Sequence, residues 1–391
     1  MNVDIDSLET FSRTAREGAE RAAGDLSGMT GIETAVDVTK VTLASADDLA
    51  RSDRERVGVV IDFEGGIDGT SLLTFSPEGI ETLVDALMPG ADVRESAVAE
   101  VGNIVTSGFI DAWADHLGTT IDISPPEYVA GPGGDVFAAT GFQRDRAFVF
   151  RSRVSAVGED LDFRFHMFPD RASMREMLSD GDDQIPVEKL ATLRAMAREG
   201  GHTASETLTE MTGIETAVDI TRLSFVPVED VPAALGNRAY VGVVLEFEGR
   251  PSGYVLILFD EDSAREVVGA LVPGTEEVET FDGMAQSAIE EIGNVMTSSF
   301  IDGWANVLDS TIDISTPRFV HDMGDAVAES VATRLGQRQS LAFLFDTTLR
   351  AADREFDCEL YAIPDEAELR AALDAIEPGE VGERSTRAGS L

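Results

Sequence analysis

The chain contains one cysteine, Cys358, which excludes an intrachain disulfide and any metal site built on cysteine pairs. Lysine is almost missing: Lys40 and Lys189 stand beside 28 arginines. Asparagine occurs only five times. No stretch approaches the ~18 apolar residues of a membrane-spanning helix. The opening MNVDIDSLETF lacks the basic and apolar regions of a signal peptide, so the expectation is a soluble, cytoplasmic protein. GxxxxGK[ST], a GxGxxG after a strand, and GxSxG are all missing, which sets aside the usual nucleotide and serine-hydrolase readings. The four histidines, His116, His166, His202 and His321, show no metal-ligand spacing and read as structural or surface residues.

Acid dominates what is present. Among 391 residues, 73 are acidic and 30 basic, a net charge of −43. The hydrophobic share of 43% is enough for packed cores, so the chain is not a disordered acidic polymer. Single cores stop growing at roughly 250–300 residues, which favours more than one domain. The acids are dispersed rather than run into blocks, as on solvated faces of folded domains. Such a surface repels phosphate backbones and anionic lipid, so neither nucleic acid nor a membrane is an expected partner. Abundant Asp and Glu with scarce Lys suits a salt-loaded cytoplasm, where the Debye length falls to ~3 Å at 1 M and self-repulsion is screened.

The strongest organisational signal is a repeat. MTGIETAVD at 29–37 returns unchanged at 211–219, and VGVVIDFEG at 57–65 returns as VGVVLEFEG at 241–249. LMPG at 87–90 returns as LVPG at 271–274. GNIVTSGFIDAWADHLGTTIDIS at 102–124 returns as GNVMTSSFIDGWANVLDSTIDIS at 293–315. The polar SDGDDQIP at 179–186 reads as the linker. The expected domains are 1–180 and 187–376, followed by a flexible tail over 377–391 that has no apolar period.

Within the first copy a helical pattern covers 5–28, and strand patterns cover 34–44, 57–64 and 69–75. A helix at 77–88 follows, then a longer one at about 96–117. Strands at about 119–129, 146–156 and 161–168 precede a short helix at 170–178. Helix, three strands, helix therefore occurs twice per copy. The expected fold is α+β: two tandem domains, each a pseudo-twofold pair of α-β-β-β-α units with mainly antiparallel sheet.

The long helix carries the candidate chemistry. Val98, Val101, Val105 and Ala112 form a buried stripe, with Glu100, Asn103, Ser107 and Asp111 opposite. The second copy repeats this face as Glu291, Asn294, Ser298 and Asp302. A bare Glu-x-x-Asn is ordinarily a solvated face. Here two of the five asparagines occupy this one position, each preceded by a glycine, Gly102 or Gly293. Mid-helix glycine costs roughly 1 kcal/mol against alanine, so it reports either close packing on the sheet or close approach of another molecule. Trp113 and Trp304, equivalent in the repeat, read as core or helix-docking residues rather than a binding box.

The spacing Ser-x3-Glu-x2-Asn-x22-Pro occurs at Ser96, Glu100, Asn103, Pro126 and again at Ser287, Glu291, Asn294, Pro317. It resembles the signature of the CheC/CheX/FliY chemotaxis phosphatases over nearly the whole chain. The resemblance implies an aspartyl-phosphate phosphatase acting on the phosphorylated response regulator CheY, with Glu100, Asn103, Glu291 and Asn294 as catalytic residues. The Asn carboxamide would orient the attacking water, and the Glu would pair with a lysine of the regulator. No cofactor is implied in this chain, since Mg2+ is expected in the regulator. The deamidase CheD is a further partner to consider, and a non-catalytic adaptor holding CheY or CheD is the alternative reading. Aligning the first helix of each copy on the same signature puts Arg13 and Arg16 at the Glu and Asn positions of copy one. Ala195 and Arg198 take them in copy two, so these first-half sites are expected to be inactive. Asp111 and Asp302 are expected to rim the contact.

The charge reading has a direct test. Circular dichroism is expected to show loss of structure between 3 M and 0.1 M KCl, because screening weakens as salt falls. A spectrum unchanged over that range overturns the habitat inference.

Overall fold

The computed structural model describes residues 2–49, 55–87, 94–143, 147–156, 162–178, 184–235, 239–271, 278, 280–324, 326–327, 329, 341–351 and 354–375. The chain separates into two compact units, Met1–Gln184 and Ile185–Leu391. The LMPG and LVPG turns, most of the linker and the expected tail at 377–391 lie wholly or largely outside the described residues.

The principal elements of the first unit are α1 (Ile5–Thr30), β1 (Thr34–Ala44), β2 (Glu55–Gly65), β3 (Gly69–Phe75), α2 (Pro77–Leu87) and α3 (Arg94–Leu117). They continue with β4 (Ile121–Ile123), β5 (Glu127–Pro132), α4 (Gly133–Ala138), β6 (Ala147–Ala156), β7 (Asp162–Pro169) and α5 (Arg171–Leu178). Its strands run in the order β1-β6-β7-β3-β2, and both β4 and β5 pair with the far side of β2. Every pairing is antiparallel. Taking β4 and β5 as one broken strand, the order reads alike from either end: β1 matches β4/β5, β6 matches β2, and β7 matches β3. That is the expected pseudo-twofold pair.

The second unit repeats the plan with α6 (Val187–Thr212), β8 (Thr216–Pro227), β9 (Ala239–Glu248), β10 (Gly253–Asp260), α7 (Glu261–Leu271) and α8 (Gly283–Leu308). It continues with β11 (Asp313–Ile314), β12 (Arg318–Met323), β13 (Leu341–Ala351), β14 (Arg354–Pro364) and α9 (Glu366–Asp374). The order is β8-β13-β14-β10-β9, with β11 and β12 both on β9.

One expected strand is corrected. The run at 119–129 is two strands with a break over Ser124, Pro125 and Pro126. Proline has no N–H for the ladder, so the pairing on β2 stops there and resumes at Glu127. The sequence reading also did not foresee α4, whose Val136 and Phe137 pack with Val60, Leu72, Val149 and Phe168. That cluster buries the second face of β2, which is why VGVVIDF reads as an apolar run rather than an alternation.

The two long helices of each unit lie against one another and on the sheet. A Cβ on Gly18 would meet the Phe109 backbone at 3.1 Å, and one on Gly108 would meet Ala22 Cα at 3.0 Å. Gly200 and Gly303 play the same part in the second unit. Trp113 and Trp304 are wholly buried. Trp113 stacks on Phe11 at 5.4 Å and meets Phe150 edge-on at 4.7 Å, so the tryptophans are core, as read. The first helices stop where a glycine adopts positive φ: Gly31 at 73° and Gly213 at 71°. Each donates its N–H to a carbonyl four residues back, at 2.9 Å, which closes the last turn.

Gly102 and Gly293 lie directly on the sheet. A Cβ on Gly102 would come within 2.5 Å of Val59 Cγ1, and one on Gly293 would clash with Val243 Cγ2. Gly24, exposed on α1, has nothing within 4 Å. Opposite signs are therefore expected in denaturant melts. Gly102→Ala and Gly293→Ala should each destabilise by about 1–2 kcal/mol through overpacking, whereas Gly24→Ala should stabilise by about 0.5–1 kcal/mol.

Candidate active site

The phase of α3 and α8 follows from that contact. With Gly102 pressed on β2, Val98, Val101 and Val105 are fully buried, and Glu100 and Asp111 are exposed while Asn103 and Ser107 are half-buried. Glu291, Asn294, Ser298 and Asp302 repeat the arrangement on α8. The faces assigned from spacing are the faces observed. Desolvation raises the carboxyl pKa of Asp302 above its ordinary value.

Opposite the helix stands the segment that follows the short strand β4 or β11. Its position is fixed by a serine in both units. Ser124 donates its N–H to the Asp62 carbonyl at 2.8 Å, and its Oγ accepts from the Asp62 N–H at 2.9 Å. Ser315 makes the same two bonds to Glu246, at 2.8 and 2.9 Å. The prolines of the signature, Pro126 and Pro317, sit two residues beyond these clamps.

In the second unit helix and segment enclose an open groove of about 570 Å³. Ser287, Glu291, Asn294 and Pro317 all line it. The four residues of the signature that the chain resembles thus converge on one surface feature. The reading missed Glu290, Ser298, Ile314, Ser315 and Thr316, which also line the groove. The TIDIS text common to both copies was the available signal for Ser315 and its counterpart Ser124. In the first unit Ser96, Glu100, Asn103 and Pro126 hold the same places on α3 and beyond β4.

Among the described residues, Glu100, Asn103, Glu291 and Asn294 make no side-chain hydrogen bond or ion pair. The hydroxyls a turn away are satisfied by backbone: Ser107 Oγ donates to the Asn103 carbonyl at 2.8 Å, and Ser298 Oγ to the Asn294 carbonyl at 2.7 Å. Each site therefore presents an unengaged carboxylate and an unengaged carboxamide. A carboxamide both donates and accepts, so it can orient a water; a carboxylate can hold a cation. No group of three or more His, Cys, Asp or Glu among the described residues is placed to hold a metal ion.

The first helices differ. Arg13 pairs with Glu9 at 3.5 Å and Arg16 with Glu20 at 3.1 Å, each one turn away on α1. Arg198 donates Nε–H to the Ile220 carbonyl of β8 at 3.2 Å. These guanidiniums are engaged by their own unit, and none of them can accept a hydrogen bond.

Comparison with known proteins bears on the same segments. The model of the CheC-like family matches residues 93–129 and 284–321, the long helix and the segment after it in each unit. CheC1 of Halobacterium salinarum, provisionally named a CheY-P phosphatase, is 43% identical over 182 residues, covering 46% of this chain and 92% of the relative. The chain belongs to the CheC-like family. That relative is matched over about the length of one unit, and the family model matches once in each unit. The CheY-P phosphatase CheX of Thermotoga maritima is 37% identical over 78 residues, covering 18% of this chain and half of the relative. FliY of Thermotoga maritima aligns with 45% of this chain and 96% of its own at a TM-score of 0.37 and 18% identity, too slight a likeness to argue from. Among the described residues no helix of this CheC-like chain is long and apolar enough to cross a membrane.

The serine clamp is testable without any partner. Ser315→Ala removes the acceptor for the Glu246 N–H, at an expected cost of about 0.5–1.5 kcal/mol. Hydrogen exchange should show the Glu246 amide opening faster, with the amides of α8 unaffected.

Proposed function

We propose that each unit is a phosphatase for the phosphorylated response regulator CheY, with Glu100 and Asn103 acting in the first unit and Glu291 and Asn294 in the second. One observation carries this reading: Ser287, Glu291, Asn294 and Pro317 line a single groove, with the acid and the amide unengaged. The names of the CheC-like relatives point the same way.

In the proposed reaction the exposed helix face enters the regulator's phosphorylation site. The carboxamide oxygen of Asn103 or Asn294 accepts a hydrogen bond from a water, and the amide N–H donates toward the phosphoryl group. Water oxygen then forms the new P–O bond as the acyl P–O bond breaks in line. The bonding pair leaves with the regulator's aspartate, and inorganic phosphate is released. Glu100 or Glu291 pairs with a lysine of the regulator and fixes the register of the helix. Their part is positioning, since pairing with the lysine engages the carboxylate rather than leaving it to take a proton. Mg2+ is expected in the regulator, not in this chain. A pure adaptor for CheY or CheD would have no use for the carboxamide.

Phosphate release from CheY phosphorylated with acetyl phosphate, in multimolar KCl, is the test. Asn103→Ala with Asn294→Ala should lower turnover at least about a hundredfold, with circular dichroism unchanged because both side chains are unengaged and on the outer face. Retained release in the double variant overturns the assignment. Replacing Arg13, Arg16 and Arg198 by alanine should leave turnover per site unchanged. A large fall at saturating substrate would restore the first helices to the chemistry.

A further inference from the structure

We infer that Glu290 makes the second unit's site selective for a regulator with an additional cationic side chain beside its phosphorylation pocket, so the two sites of one chain are not interchangeable. This rests on the phosphatase reading above. Nine residues line the groove of the second unit, and at seven of the equivalent positions the first unit carries the same residue. The chemistry is thus held constant between copies. The two exceptions are Thr316, replaced by Pro125, and Glu290, replaced by Ala99. Glu290 is the only one of the two that changes charge.

Glu290 is built in rather than merely solvated. It is half-buried, and Gln286 one turn earlier donates Nε2–H to its Oε1 at 2.8 Å. The first unit has Glu95 at the Gln286 position, so the holder and the held acid are both particular to the second unit. The other oxygen of Glu290 takes no hydrogen bond among the described residues. Glu290 and Glu291 therefore put two adjacent carboxylates on the groove where the first unit puts one. At 1 M salt, with a Debye length of ~3 Å, a distant surface acid contributes nothing to recognition, but a held carboxylate in direct contact still does. A second contacting carboxylate asks for a second cation. Placed beside the acid–amide pair rather than in it, Glu290 should act on binding and leave the chemical step alone.

Single-site full-length variants separate the two units: Asn103→Ala leaves only the second site, and Asn294→Ala only the first. Each is assayed with CheY phosphorylated by acetyl phosphate. In the Asn103→Ala background, Glu290→Gln should raise KM about two- to fivefold with kcat unchanged, the range of a contacting but solvent-accessible ion pair. In the Asn294→Ala background, Ala99→Glu should lower KM. Glu266→Gln, an exposed acid on α7, is the charge-matched control and should change neither constant. Unchanged KM in both groove variants overturns the inference, as does a KM that falls in Glu290→Gln. A loss of kcat alone also overturns it, by moving Glu290 into the chemistry. Turnover surviving in the Asn103→Ala, Asn294→Ala double variant would instead overturn the phosphatase reading itself.

Discussion

The contact of Gly102 with Val59, repeated as Gly293 with Val243, sets the rotation of the helix that carries each site. A helix advances about 100° per residue. Glycine two residues after the glutamate therefore faces away from it, at about 160°, and lies about 100° from the asparagine that follows. Pressing that glycine onto the sheet turns the acid and the amide outward together. Any side chain at the glycine position would lift or roll the helix by the width of a methyl group, and the functional pair would roll with it. The cost of mid-helix glycine, roughly 1 kcal/mol in propensity, is offset by close apposition to a valine surface. The same apposition makes the orientation reproducible between units.

Duplication shows which local solutions the fold needs and which it tolerates. The two serine clamps agree in donor, acceptor and distance, as do the two serine hydroxyls turned back to the asparagine carbonyls. These hold the two walls of the site. The end of the long helix is treated more loosely. Gly118 at φ 61° closes α3, and Asp309 at φ 49° closes α8. Left-handed backbone is open to glycine and costs aspartate little, because its short side chain bonds locally. The first helices have diverged further. Their arginines are taken up by Glu9, Glu20 and the Ile220 carbonyl, so the positions serve intramolecular contacts.

Much of this was legible in the sequence because it depends on periodicity and repetition. The buried stripe of α3, the outward acid–amide pair and the twice-repeated run of helix, strands and helix all follow from spacing and repetition. The illegible parts depend on contacts between elements. The break at Ser124–Pro126 interrupts a strand whose hydrophobic pattern continues across it, so the pattern alone read one strand. The role of Gly102 could not be decided from the chain, because packing on a sheet and approach of a partner favour the same residue. Val59 lies directly beneath it. Glu290 was passed over for a related reason: beside the repeated Glu-x-x-Asn it looks like another surface acid, and only the groove and the Gln286 bond distinguish it.

A net charge of −43 sits uneasily with the phosphorylated partner proposed for it, since the phosphoryl group is itself anionic. The geometry of the sites accounts for how they coexist. The group proposed to face the phosphoryl is a neutral carboxamide, whose dipole can orient a water without adding charge against the phosphate. In the proposed reading the acids of the site are aimed at cations of the partner. Everything else on the surface acts through solvent, and in concentrated salt the ~3 Å screening length removes it from the interaction. Recognition then depends on groups in contact, held in position by packing and short hydrogen bonds. A site so constituted gains little from long-range steering and much from rigidity, and rigidity is what the glycine seat and the serine clamps supply.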